Sequence, residues 1–78
     1  MMHVVITKVD EVYFDGEAVS LTVPGAAGEM TVLGEHMPLI TTLKAGEITV
    51  RESATSSKQF KVTSGVMEVR HDGATIIL

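Results

Sequence analysis

Short runs in which apolar and polar residues alternate, broken by turn residues every few positions, constrain this chain more than any other feature. Ala18 to Val23 shows the pattern: Val19, Leu21 and Val23 fall on one side, with Ser20 and Thr22 on the other. A period of two is the signature of a strand with one buried face. Ile48 and Val50 alternate with Glu47, Thr49 and Arg51; Phe60 and Val62 with Lys61 and Thr63; Met67 and Val69 with Glu68 and Arg70. No window repeats apolar residues at helical spacing between capping residues. Val, Ile and Thr make up 25 of the 78 residues, which adds β-branched stiffness to the pattern.

Read in order, His3 to Val9 forms a first strand, Asp10-Glu11 breaks it, and Val12-Tyr13-Phe14 resumes an extended run. Asp15-Gly16 and Asp72-Gly73 carry hairpin-turn chemistry, and Pro24-Gly25 and Gly34 punctuate the next stretch. Glu29 to Leu33, Leu39 to Leu43, Glu47 to Arg51 and Ala74 to Leu78 are further strands, and Glu52 to Ser57 is a polar loop. About eight short strands with turns at close intervals predict an all-β, antiparallel sandwich or barrel. Seventy-eight residues make one domain, 1–78, with no internal repeat or linker.

Composition removes several function classes. There is no cysteine, so neither a disulfide framework nor a thiolate metal site is available, and His3, His36 and His71 match no zinc spacing. The net charge is −4, and three aromatic residues supply no stacking platform, which argues against nucleic-acid binding. No apolar run approaches the ~18 residues of a membrane span. The start, Met1-Met2-His3-Val4, lacks a basic region and leads straight into a strand, so no signal peptide is expected and the default location is cytoplasmic.

Catalytic patterns fail one by one. Ser64, His71 and Asp72 are the right residue types for a triad, but His71-Asp72-Gly73 reads as a turn and no elbow presents Ser64. Gly25-Ala26-Ala27-Gly28 lacks the following Lys-Ser/Thr of a phosphate-binding loop. Glu29 and Glu35 have no pocket on which to converge. Lys44, on a turn of a small β domain, raises the alternative of a lipoyl- or biotinyl-type carrier, yet Leu43-Lys44-Ala45 has neither the methionine nor the acidic flank of such turns.

Val23 to Leu39 holds both prolines, and its Met37-Pro38-Leu39 is apolar where turn chemistry favours polar residues. Pro38 restricts Met37 to extended conformations, so this loop is stiff as well as apolar, the character of a docking surface. Here the chain resembles the N-terminal domain of the epsilon subunit of F-type ATP synthase. Val12 to Glu17 resembles the family's hydrophobic-x-G-E segment, Val23 to Met30 its V-P-G-x-x-G-E-hydrophobic segment, His36 to Gly46 its H-x-P-L-hydrophobic-T-x-hydrophobic-K-x-G segment, and Ser64 to Val69 its G-hydrophobic-hydrophobic-E-V strand. Four segments in order across residues 12–69 make a specific signal.

The resemblance implies a flattened antiparallel β-sandwich and a non-catalytic rotor subunit without covalent cofactor or metal. It implies a place between the gamma subunit and the c-ring, at the cytoplasmic face of a bacterial plasma membrane, coupling transmembrane ion flow to ATP synthesis. By position, Glu29, Met30 and Thr31 would face the c-ring, and His36 and Thr41 the gamma subunit, with Pro38 and Leu39 shaping that surface. Two departures are Glu35 before His36 and Ser64 where a second glycine is common. The C-terminal helical hairpin of many members, associated with inhibition of ATP hydrolysis, has no counterpart in these 78 residues.

Overall fold

The computed structural model describes residues 1–34 and 37–78. Among them are nine strands: β1 (Met2–Lys8), β2 (Glu11–Ala18), β3 (Ser20–Gly25), β4 (Gly28–Leu33), β5 (Leu39–Leu43), β6 (Gly46–Arg51), β7 (Ser57–Val62), β8 (Gly65–Arg70) and β9 (Gly73–Ile77). Hydrogen bonding runs in the order β2-β1-β9-β8-β5-β3-β6-β7, with β4 on the other edge of β3. The path is narrowest between β5 and β3, where Gly25 and Leu43 are the one register pair. Two backbone hydrogen bonds, from Ala26 N–H to the Thr42 carbonyl and from Lys44 N–H to the Pro24 carbonyl, complete that corner. The sheet therefore folds there into two layers, β2-β1-β9-β8-β5 and β4-β3-β6-β7.

Alternation puts one face of each layer inside. The first contributes Met2, Val4, Ile6, Phe14, Ala18, Leu43, Met67, Val69, Ala74 and Ile76; the second contributes Leu21, Val23, Val32, Ile48, Val50 and Val62. Among the described residues no polar or charged side chain is buried, so the core holds together by apolar burial alone.

Several local expectations needed correction. Asp15-Gly16 is not a turn: Asp15 pairs with Val5 and Gly16 with Val4 in the middle of β2. The chain reverses instead at Val9-Asp10, where Asp10 takes φ 64°, a left-handed conformation that its short side chain tolerates. Pro24-Gly25 likewise ends β3, both residues buried, and the turn falls on Ala26-Ala27. Val19 is exposed at the β2–β3 corner rather than sharing the face of Leu21 and Val23. The register shift opposite Ile6/Thr7 leaves Tyr13 without a pair, so Val12 faces out while Phe14 faces in. Finally, β1 and β9 are parallel, the one parallel pair among the described residues of an otherwise antiparallel sheet.

Gly73 makes that parallel pair possible. A Cβ at this position would fall on the His3 carbonyl oxygen, so only glycine lets β9 lie this close to β1. A second close approach lies within the other layer near the corner, between β6 and β3: a Cβ on Gly46 would come within 2.8 Å of the Pro24 Cβ.

Candidate contact surfaces and family

The expected contact residues separate along β4 and β5. Glu29 stands exposed on β4 beside the Ala26-Ala27 turn, opposite Pro24. Thr31 is exposed two residues on, its Oγ1 3.0 Å from that of Thr22 on β3. Met30 points the other way: it is opposite Val23, half-buried, and packs on the core. Its side chain supports the sheet that presents Glu29 and Thr31.

His36 lies outside the described residues. Pro38 is exposed, and Leu39 is half-buried against the core. Thr41 pairs with Met67 and is half-buried, its Oγ1 donating to the Thr42 carbonyl at 3.4 Å. A shallow cleft of about 460 Å³ lies between Pro38–Ile40 and the Glu68–His71 stretch. Strand β4 joins the two neighbourhoods: its six residues run from the Ala26-Ala27 turn, beside Glu29, to the segment leading to Pro38. At a strand rise of ~3.3 Å per residue, the two ends of β4 are roughly 17 Å apart. Glu29 and Pro38 therefore lie toward opposite ends of the sandwich, with Thr31 and Thr41 in mid-strand.

Sequence reasoning did not find the outward face of the first layer. Pairing aligns Val12, Thr7, Ile77, Val66 and Thr42 in one row across five strands. Val12, Val66 and Ile77 in this row are exposed, as is Ile40 in the next. The signal was in the sequence: Val66 precedes inward Met67, and Ile77 follows inward Ile76, so each breaks the alternation and must face out. A second feature it missed is a groove of about 600 Å³ between Lys8 and Tyr13 on one side and Gln59–Ser64 on the other. It marks the seam where the two ends of the strand path, β2 and β7, approach without pairing.

The constellations discounted for catalysis stay apart. Ser64 lies in the β7–β8 connection and His71-Asp72 in the β8–β9 turn, at opposite ends of β8. Lys44 is exposed on the β5–β6 connection. Among the described residues there is no group of three or more His, Cys, Asp or Glu side chains placed to hold a metal ion.

The whole chain, residues 1–78, matches the family described as ATP synthase, Delta/Epsilon chain, beta-sandwich domain. The chain belongs to this family. Similar relatives include the ATP synthase epsilon chain of Caulobacter vibrioides, 36% identical over 76 residues, 97% of this chain and 87% of that one. The epsilon chain of Delftia acidovorans is 35% identical over 77 residues, which cover 97% of this chain and 55% of that one. The chain thus spans most of the Caulobacter subunit and about half of the Delftia one. A chain in the cryo-EM structure of Euglena gracilis mitochondrial ATP synthase (OSCP/F1/c-ring in rotational state 1) superposes with TM-score 0.89 at 23% identity, covering 97% of this chain and 49% of that one. One in the Tetrahymena thermophila mitochondrial ATP synthase central stalk/c-ring structure gives TM-score 0.78 at 20% identity, covering 97% and 61%. These two likenesses establish a shared fold. The β-sandwich implied by the resemblance, one of the two architectures the alternation allows, is the fold of the ATP synthase delta/epsilon sandwich family.

Proposed function

We propose that this chain is the β-sandwich domain, residues 1–78, of a non-catalytic central-stalk subunit of an F-type ATP synthase. It docks between the gamma subunit and the c-ring, peripheral to the membrane on its cytoplasmic face, and helps couple transmembrane proton or sodium flow to ATP synthesis. The observation that carries the reading is the family match along the full chain. The titles of the Euglena and Tetrahymena structures, which name the c-ring and, for Tetrahymena, the central stalk, point the same way. No helix among the described residues is long and apolar enough to cross a membrane.

The two partners would meet the chain at different places. Glu29 and Thr31 would meet polar loops of the c-ring from the Ala26-Ala27 end, Met30 backing them from the core side. His36, Pro38, Leu39 and Thr41 would form the gamma-facing surface. A rotor component transmits torque through packed, rigid contacts, and a proline-stiffened loop loses little conformational freedom on docking. Inhibition of ATP hydrolysis is not assigned to this domain. The carrier reading of Lys44 finds no support in a family match to a different β domain. The test is binding of the purified domain to the gamma subunit and, separately, to a detergent-purified c-ring. Binding to both is expected; binding to neither overturns the assignment.

A further inference from the structure

On the outward face of the first layer, His3 of β1 is flanked by two carboxylates of β2. Its Nδ1 is 2.9 Å from Glu17 Oε2, and its Nε2 is 2.6 Å from Asp15 Oδ1. The register explains the placement: Glu17 is the direct cross-strand partner of His3, and Asp15, partner of Val5, is its diagonal neighbour. A neutral imidazole carries one N–H and can donate to one carboxylate. Only imidazolium donates to both. The carboxylates meet opposite nitrogens of one ring, so they do not converge on a point that a metal ion could occupy.

What this arrangement fastens matters as much as its chemistry. β2 is the terminal strand of its layer, paired with β1 alone. Gly16, with no side chain to pack, sits between the two acids in mid-strand. Without a cation between them, Asp15 and Glu17 would repel on one face of an edge strand.

We propose that His3, Asp15 and Glu17 form an imidazolium-centred clamp that fastens the second half of β2 to β1 in its protonated form and releases it as pH rises. The ring has its pKa raised above the ordinary histidine value of 6.5, chiefly by the hydrogen bond it donates to Glu17 and then by that to Asp15. The other charged or titratable groups around it are the α-amino group of Met1, two residues before it, and, beyond Gly73, those of the β8–β9 hairpin. There the Asp72 carbonyl accepts the His3 N–H at 3.1 Å. The Asp72 carboxylate lies 3.8 Å from Arg70 Nε, and Arg70 Nη1 donates to Glu68 at 3.2 Å and to Thr75 at 2.9 Å. Arg70 is thereby engaged on its own hairpin, and His71 completes the turn. The clamp is separate from Glu29, Thr31 and the Pro38 surface and does not depend on the proposed function.

The test is hydrogen exchange of the 78-residue chain followed by NMR from about pH 5.5 to about pH 8.5, a window bracketing the histidine range. Protection of the hydrogen-bonded amides of residues 16–18 is divided by that of the β6 amides, which cancels the intrinsic pH dependence. The ratio falls by about two- to fivefold across this range, the scale exposed ion pairs command. In His3→Gln it is flat at the high-pH level. The His3 ring titration, which needs no variant, reads above 6.5 and moves back toward it in Asp15→Asn and in Glu17→Gln. A ring value at or below 6.5, or a ratio that does not change with pH, overturns the proposal.

Discussion

Phe14 on β2 and Phe60 on β7 meet edge to face, ring centroids 6.3 Å apart and planes at 66°. They belong to the two ends of the strand path, which share no backbone pairing. Lys58 adds its ammonium 5.6 Å from the Phe14 ring centre, so aromatic and cation–π contacts stand at a seam that hydrogen bonds leave open.

That relationship sets the first prediction. Phe14→Ala removes a buried ring and costs about 3 kcal/mol or more; Phe60→Ala, half-buried, costs less. The two losses are not additive, and a double-mutant cycle by urea denaturation gives a coupling of about 1 kcal/mol. Additive losses would mean that the ring pair contributes only through burial. A domain of this size holds roughly 3–5 kcal/mol in reserve, so Phe14→Ala also populates the unfolded state measurably.

Two glycines should respond in opposite ways. Gly73→Ala drives a methyl onto the His3 carbonyl and breaks the β1–β9 pairing, at a cost near the upper end of the ~1–3 kcal/mol typical of overpacking. Gly16→Ala meets nothing nearer than 3.5 Å and is neutral or stabilising by about 0.5 kcal/mol. Denaturation midpoints of the two variants check both signs.

Stability should also depend on pH through His3. Its folded-state pKa is raised, so protonation favours the folded form. The contribution is fully present below the unfolded value of about 6.5 and is lost as pH rises through the folded value. The difference in urea midpoint between the native chain and His3→Gln should be largest in mild acid and vanish in base. A difference growing with pH would contradict the sign.

At the proposed interface, Glu29→Arg and His36→Asp should weaken assembly into the complex and leave the melting temperature of the isolated domain within a few degrees. Glu29 is exposed, so replacing it leaves the core packing in place. Pull-down of the gamma subunit and c-ring by each variant, set against its melting curve, separates the two effects. Unchanged assembly with both would remove these residues from the interface.

The strands were legible where alternation was clean. Leu39 to Leu43 matches β5 residue for residue, and Glu47 to Arg51 lies within β6, because one face is buried and the other wet. Turn chemistry misled where tertiary pairing overrode it. Gly16 and Gly25 are strand residues: β1 needs a full-length partner, and the β3–β5 corner needs a close backbone approach. Parallel pairing of β1 with β9 joins the two ends of the chain, and no local pattern encodes it. The Phe14–Phe60 contact is equally non-local. Of the candidate surface, Glu29 and Pro38 are exposed, whereas Met30 is half-buried against the core. The His3 clamp was invisible because its members, twelve and fourteen residues apart, meet only through strand register.

The proposed place of this chain is in a rotor that joins the catalytic head to the membrane ring. Co-purification of the tagged 78-residue chain from its native membranes, with identification of the bound proteins, tests it most directly. Recovery of the gamma subunit, the catalytic-head subunits and the c-ring together is expected. A folded, clean preparation lacking all of them would contradict it.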